Sequence, residues 1–446
     1  MRVGKGAARN HPLKKSPALL APEQACATLH RQLPWWLTDS AAPISLWFPL
    51  SNYSAILALL ASVFLLIAGN GLVNTLVPLR ASLEHFPPLA IGLMGSVYFG
   101  GMLAGTLAAP AVLRRTGHIR AYCAFISLAI ITTLALPVLV APLPWILVRG
   151  ALGFAFAGLY GVIDGWVSAK SQNENRGRVY GLYQIVNFSG SAVGQQLLVL
   201  DDSRSFALFS LVAGLFALAV LPLAFTRAEA PAVPEVSRLR ILWLLKISPV
   251  GAMTAFVVGA ANGSFWALSP VYGLGIGLRP ESLSLFLTAV VVGSAIAVWP
   301  IARLSDWMDR RKLVVFSSTL AVAAETGLWL GAHFDPLLVA GLGFALGSGA
   351  MVLYTLAVAQ TNDRAGPSQA VIVTSGLLFL YCAGAILFPP LGSALIAQFG
   401  PTSLFAMNAV LHLSLVVFTL WRILARQQAA PMPRPESPSK GRAGMP

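Results

Sequence analysis

Twelve long apolar stretches constrain this sequence more than any other feature, because each is long enough to cross a membrane as a helix. A bilayer-spanning helix needs roughly 17–25 mainly apolar residues. A membrane β-barrel would instead show short alternating segments, and the sequence has none. We therefore predict an all-α polytopic membrane protein with twelve transmembrane helices. The predicted spans cover residues 55–78, 89–113, 121–140, 143–167, 179–200, 205–225, 250–272, 283–302, 313–330, 336–359, 370–397 and 403–424.

The composition excludes several other classes of protein. The chain is 57% apolar and 10% charged, whereas a soluble domain is about 25% charged. A cytosolic enzyme, a secreted disulfide scaffold and a disordered chain are therefore excluded. The three cysteines, Cys26, Cys123 and Cys382, are an odd number in unrelated contexts and imply no disulfide framework.

The basic residues predict how the helices are oriented. Twelve spans place both termini on one side, and 26 of the 30 lysines and arginines lie on that side. Only Arg80, Arg204 and Arg279 lie on the other, and Arg149 lies inside the fourth span. Because short cytoplasmic loops are enriched in lysine and arginine, we expect both termini to be cytoplasmic. This distribution accounts for the net charge of +14 without a nucleic-acid partner.

The chain contains an internal repeat of 192 residues. In this register Asn70 aligns with Asn262 and Pro78 with Pro270. Six spans per repeat give the two halves the same orientation, an arrangement found in membrane transporters with a site between the halves. The predicted segments are an N-terminal cytoplasmic extension 1–50, a six-helix bundle 51–226, a cytoplasmic linker 227–249, a second six-helix bundle 250–425 and a disordered tail 426–446. The extension is either an interfacial anchor or a poorly ordered tail.

Several motifs resemble those of the major facilitator superfamily. The segment ARLSDWMDRRK, from Ala302 to Lys312, resembles the G-x-L-x-D-R-x-G-R-R signature of that family. Arg149 followed by Gly153 is similar to its second motif, and RGR at 176–178 with GSAVGQ at 190–195 is similar to the bacterial YcaD-like branch. The resemblance covers about residues 53–425. It implies two six-helix halves and a secondary active transporter of the bacterial inner membrane.

The functional expectation is transport of a small solute by alternating access. Proton coupling is inferred from Asp164 and Arg149, and export is favoured over uptake by family analogy. The chain has no Walker A sequence, so we expect no ATP hydrolysis, no cofactor and no metal. The expected partners are the solute, the lipid bilayer and protons, and no oligomer is required. The alternatives are a membrane-embedded enzyme of the acyltransferase kind and a non-transporting membrane sensor.

Polar uncharged residues within the spans mark a candidate substrate cavity. Gln184, Asn187 and Gln195 share one face of the fifth span, because 100° of rotation per residue places them within a narrow arc. Amides inside a membrane also join helices to one another, and that reading is open for each single residue. The candidates are Asn70, Asn74, Gln184, Asn187, Gln195, Asn262, Trp266, Tyr354 and Tyr381.

Charged residues near the membrane edges are candidates for coupling or gating. Asp164 either pairs with a basic residue such as Arg176 or carries the coupling proton. Arg149 either extends to the outer surface or faces the cavity. The family resemblance implies that Asp306, with Arg310 and Arg311, latches the cytoplasmic side. The candidates are Asp164, Arg149, Arg176, Asp306, Arg310 and Arg311.

Overall fold

The computed structural model describes residues 50–170, 176–224, 239–331, 335–366 and 369–428. Within Ser54–Pro446 the described residues belong to one compact unit. The predicted N-terminal extension, most of the linker and nearly all of the predicted tail lie outside the described residues. The description below therefore concerns the two predicted bundles and the end of the linker.

Helices form this part of the chain, and the described residues contain no strand. Five of the helices begin at proline, whose fixed φ angle suits the first turn and whose missing N–H costs nothing there. The helices are α1 (Leu50–Leu83), α2 (Pro88–Thr116), α3 (His118–Ala135), α4 (Pro142–Lys170), α5 (Arg176–Gln196), α6 (Phe206–Ala224), α7 (Ile241–Ile247), α8 (Pro249–Gly275), α9 (Pro280–Trp307), α10 (Arg310–Leu330), α11 (Pro336–Ala350), α12 (Leu353–Ala365), α13 (Ala370–Phe399) and α14 (Ser403–Gln428).

These helices confirm the predicted twelve-span architecture. Among the described residues, 11 helical segments are long and apolar enough to cross a membrane, with α11 and α12 together forming one of them. The remaining predicted span is α5, which is less apolar because it carries the row of amides. The helix α7 is a short extra helix at the end of the linker, directly before the second bundle.

The sequence predicts one continuous helix for the tenth span, whereas the structure has two helices there. It divides into α11 and α12 at Met351 and Val352. The sequence just before the break, GSGA from Gly347, is rich in glycine and serine, a combination that bends helices. The break brings Met351 to the wall of the cavity described below.

The internal repeat is visible in the helix boundaries and in the packing. Helices α2 and α9 begin 192 residues apart, and α3 and α10 do so as well. In the first half α2 packs on α4, and in the second α9 packs on α11. A Cβ added to Gly101 would overlap the carbonyl of Gly150, and one added to Gly293 would overlap that of Phe344. Equivalent glycines thus allow the same close helix contact in both halves.

A buried pair of hydrogen-bonded side chains joins two helices of the second half. His412 of α14 has its Nδ1 2.9 Å from Oε2 of Glu325 in α10, and both residues are fully buried. The pair lies away from the residues that line the cavity. Because polar residues inside a membrane pair with one another, this pairing favours a structural role for both residues.

Candidate functional site

A cavity of about 400 Å³ lies between the two halves. Helices α1, α2, α4 and α5 form one wall, and α8, α9 and α13 contribute to the other. We call it the central cavity. It is lined by Ile67, Asn70, Gly71, Asn74, Gly95, Tyr98, Phe99, Met102, Arg149, Tyr160, Gln184, Asn187, Phe188, Ser191, Gln195, Trp266, Ala267, Val290, Val291, Ser294 and Tyr381, together with Met351 at the break between α11 and α12.

The two ends of the bundle differ in how the halves meet. We call the end at which α1, α3 and α5 begin the basic end, because arginines cluster there, and the other the opposite end. The hydrogen bonds between the halves that the described residues form lie toward the opposite end. Gln196 donates from Nε2 to Oγ1 of Thr288 at 2.8 Å, and Ser284 donates to the carbonyl of Gln195 at 2.7 Å. Ser96 of α2 donates to the carbonyl of Ile386 in α13 at 2.6 Å. The central cavity is therefore closed toward the opposite end.

Toward the basic end the path continues into a second cavity. This second cavity has a volume of about 310 Å³ and shares Met102 and Tyr160 with the central one. Its wall includes Asp164 of α4 and Leu378 of α13, so it also lies between the halves. Asp164 accepts a hydrogen bond from the hydroxyl of Tyr183 at 3.2 Å. Among the described residues, no lysine or arginine forms an ion pair with Asp164.

A chain of hydrogen bonds crosses the first-half wall of the central cavity. Arg149 donates from Nη2 to Oδ1 of Asn74 at 2.9 Å. Asn74 in turn donates to Oδ1 of Asn70 at 2.9 Å, and Asn70 donates to the hydroxyl of Tyr160 at 3.3 Å. Neutral groups thus hold the guanidinium in place, and none of these groups carries a negative charge that would offset its positive charge.

Arg149 is the only charged side chain in the described lining of the central cavity. The residue is 6% exposed, and its guanidinium carbon lies 4.3 Å from the centre of the Tyr98 ring. Within the described part of the chain, its Nε and Nη1 are buried without a hydrogen-bond partner. Of the two readings of Arg149, the structure has the side chain facing the cavity.

The amide row of α5 lies along one wall as its spacing predicts. Gln184, Asn187 and Gln195 all line the central cavity. The side-chain oxygen of Gln195 also accepts a hydrogen bond from the hydroxyl of Thr75 on α1. Gln195 therefore joins two helices as well as facing the cavity, whereas Gln184 and Asn187 have no such bond to α1 among the described contacts.

The second half contributes aromatic side chains. Trp266 and Tyr381 line the central cavity, and Tyr354 packs edge-on against Tyr381 with ring centres 5.4 Å apart. Tyr354 and the buried Asn262 are not part of the lining. The repeat therefore places its two equivalent asparagines differently, because only Asn70 reaches the cavity wall.

Comparison with known proteins agrees with this architecture. Residues 59–375 and 251–444 match the Major Facilitator Superfamily. The chain belongs to the major facilitator superfamily. A relative in Escherichia coli O6:K15:H31, the uncharacterized MFS-type transporter YcaD, is 28% identical over 365 residues, which are 81% of this chain and 94% of the relative. The YcaD of Shigella flexneri is 27% identical over 363 residues, with the same shares of each chain.

Solved structures of other transporters share the fold of this superfamily member. A mutant of the nucleoside transporter NupG matches with a TM-score of 0.71 at 13% identity, covering 82% of this chain and 99% of that one. A bacterial homolog of the human lysosomal transporter Spinster, inward-facing and unoccupied, matches with a TM-score of 0.64 at 12% identity, covering 85% and 96%. The general function of this multi-pass membrane protein is thus membrane transport.

The superfamily signature after α9 forms a compact group of charges at the basic end. Asp309 caps α10 by accepting a hydrogen bond from the Arg311 amide at 3.0 Å, and Arg310 pairs with Asp363 of α12 at 3.1 Å. Asp306 is exposed beside them. These contacts stay within the second half, so the latch remains a prediction. Arg176 begins α5, and its side chain lies outside the described residues.

Sequence reasoning missed most of the aromatic lining. Tyr98, Phe99, Tyr160 and Phe188 all face the central cavity. Aromatic residues are frequent on every face of a membrane helix, and neither polarity nor spacing distinguishes these four from residues that face lipid or neighbouring helices. The contact between the Tyr98 ring and Arg149 is likewise visible only in the structure.

Proposed function

We propose that this protein is a secondary active transporter that moves a small solute by alternating access. Residues 51–226 and 250–425 would act as two bodies that rock about the central cavity. The observation that carries the proposal is one solute-sized cavity between the halves that is closed toward one end and continues toward the other. Membership of a transporter superfamily supports it.

The contacts within and between the halves suit such a motion. Within each half, the glycine contacts of α2 with α4 and of α9 with α11 bring backbones together, which favours movement as a unit. Between the halves, the described hydrogen bonds donated by Ser96, Gln196 and Ser284 are few. A few hydrogen bonds of about 1 kcal/mol each can break and reform during a transport cycle.

The basic end is the cytoplasmic side in this proposal, and the membrane is the bacterial inner membrane. The support is the excess of lysine and arginine at that end, 26 of 30 residues. Both termini are then cytoplasmic, and the conformation described here faces inward.

The coupling ion in this proposal is the proton, and net transport is outward. Asp164 supports proton coupling because it lies on the path between the central cavity and the basic end and has no basic partner among the described residues. A carboxylate in that position can gain or lose a proton as the halves move. Outward transport rests on family analogy.

A reversible cross-link at the opposite end tests alternating access. In a variant without native cysteines, Gln196→Cys and Thr288→Cys would be joined by a short bis-methanethiosulfonate reagent. Their side chains are 2.8 Å apart across the halves, so the bridge would hold the opposite end closed. We expect flux in proteoliposomes, measured with a labelled solute found by a thermal-shift screen, to stop on cross-linking and to return on reduction.

The matched control joins residues of one half at the same end. Arg204 donates to the carbonyl of Leu83 at 3.2 Å, both in the first half. A bridge between Leu83→Cys and Arg204→Cys should leave flux unchanged. Flux that continues through the Gln196–Thr288 bridge would contradict alternating access, and a solute that binds without any flux would favour the sensor alternative.

A further inference from the structure

We propose that the solute is an organic anion with an aromatic body, and that Arg149 binds its anionic group. This inference rests on the proposed transport function and names the class of substrate. The anionic group would be a carboxylate or a sulfonate, whose planar or trigonal oxygens match the fork of a guanidinium.

The first argument is the unmet hydrogen-bonding capacity of Arg149. Two of its three nitrogens, Nε and Nη1, are buried and have no partner among the described residues, while Nη2 donates to Asn74. A buried polar group without a partner is rare in folded proteins and calls for a ligand or a function. Nε and Nη1 each share an edge of the guanidinium with Nη2, which has a second N–H, so one of these edges can bind two oxygens of one anionic group.

The second argument is the absence of a protein counter-ion. No aspartate or glutamate is part of the described lining of the central cavity. Asp164 is on the same helix as Arg149, 15 residues further along, which is about 22 Å along the axis. A single rigid helix keeps them apart in every conformation, so Asp164 does not neutralise Arg149.

The third argument is the aromatic wall around the guanidinium. Tyr98, Phe99, Phe188, Trp266 and Tyr381 face the cavity from both halves. Phe99 and Tyr381 lie edge-on across the interface with ring centres 6.2 Å apart. Rings arranged in this way favour binding of a solute with a flat apolar body. The cavity volume of about 400 Å³ is in the range of small-molecule sites.

Closure of the basic end would make the anion part of the transport cycle. When the halves close around the cavity, water leaves and the unpaired guanidinium loses its remaining solvation. An anion in contact with Arg149 offsets that loss, whereas a neutral solute of the same shape does not. The loaded cavity therefore closes more readily than the empty one, which is the condition for moving the anion across.

Matched pairs of charged and neutral ligands test the proposal on purified protein in detergent. The probes are benzoate with benzamide, 2-naphthoate with 2-naphthamide, and 2-naphthalenesulfonate with its sulfonamide, each measured by isothermal titration calorimetry. We expect at least one anion to bind about tenfold or more tightly than its neutral partner, as a charge-assisted hydrogen bond predicts. In Arg149→Gln this preference should disappear.

Control variants separate the site from general charge effects and from misfolding. Arg120→Gln removes an exposed positive charge at the basic end and should keep the wild-type preference. Arg149→Lys retains the charge without the fork and should keep a reduced preference, so it replaces Arg149→Gln if that variant does not fold. A wild-type protein that binds no anion more tightly than its neutral partner overturns the proposal, and so does a preference that survives in Arg149→Gln.

Three further outcomes distinguish this inference from the proposed function. If chloride alone stabilises the protein as much as the aromatic anions do, the site takes a small inorganic ion and the organic substrate class is wrong. If a neutral solute crosses proteoliposomes at the same rate with wild type and Arg149→Gln, transport stands and the anion inference falls. Binding of the anions without flux would keep the inference and contradict the transporter.

Discussion

Among single residues, two charged side chains of α4 lie in different surroundings, one toward each end of the helix. Arg149 lies about 10 Å from the start of α4, counting 1.5 Å per residue, and faces the closed part of the path. Asp164 lies near the basic end and contacts Tyr183. In the proposed mechanism, Arg149 binds the solute and Asp164 exchanges a proton at the basic end.

Replacing Asp164 with asparagine should uncouple transport from protons. Asparagine keeps the size and the hydrogen bond to Tyr183 but cannot ionise. We expect Asp164→Asn to lose accumulation of labelled solute driven by a pH gradient in proteoliposomes, and to keep exchange of solute down its own gradient. Glu281→Gln, a change at an exposed residue of the opposite end, serves as the control. Gradient-driven accumulation in Asp164→Asn would mean that this carboxylate is not the coupling group.

Among the helices, close backbone contacts hold one pair together in each half. Helices α2 and α9 use equivalent glycines to approach α4 and α11, and the contact is made by backbone carbonyls that cannot move aside. Gly153 and Gly347 complete the contact from the other helix, against the carbonyls of Tyr98 and Val290. The same short-range geometry recurs because the halves share one repeat.

Adding a methyl group at these contacts should destabilise the protein. Gly101→Ala and Gly293→Ala would each force two helices apart, at a cost of about 1–3 kcal/mol, as overpacking does. Gly100→Ala is the matched control, because a Cβ at Gly100 meets nothing within 4 Å. Thermal unfolding of the detergent-solubilised variants measures the difference. Equal melting temperatures for Gly100→Ala and Gly101→Ala would show that α2 and α4 tolerate a wider spacing.

Across the whole molecule, the basic residues and the closed end distinguish the two sides of the protein. The basic end carries most of the arginines, and the central cavity is open toward it through the second cavity. If that end is cytoplasmic, the inside-negative potential of a bacterial membrane favours outward movement of an anion, by about 2.3 kcal/mol per charge for each 100 mV. Export and an anionic solute are therefore mutually consistent.

Reporter fusions test the orientation. Fusions made after Gln196 and after Gly277, at the opposite end, should give active alkaline phosphatase, which folds in the periplasm. A fusion after Arg120, at the basic end, should give a fluorescent green fluorescent protein and an inactive phosphatase. A fusion after Gln196 or Gly277 whose reporter indicates a cytoplasmic location would contradict the proposed orientation and the number of spans.

Much of the architecture could be predicted from the sequence, because its signals are local. The length of the apolar stretches identified the spans, and the amides of α5 predicted one wall of the cavity. The repeat of 192 residues predicted that α2 and α9 begin at equivalent positions of the two halves. The same reasoning placed Asn262 and Tyr354 in the cavity, where the structure does not have them in the lining. In an apolar helix, spacing indicates which residues share a face but not which neighbour that face meets.

Span length and loop charge are local properties, so they were enough to predict a chain that crosses the membrane in two similar halves with one basic side. The packing of the helices was needed to find that the opposite end is closed and that the Tyr98 ring lies against Arg149 in a cavity with aromatic walls. It also decided that the guanidinium faces the cavity with two nitrogens unpaired in the described part of the chain. The reason is physical, because closure, burial and the lack of a counter-ion depend on groups that lie far apart in the chain and meet only when the helices pack.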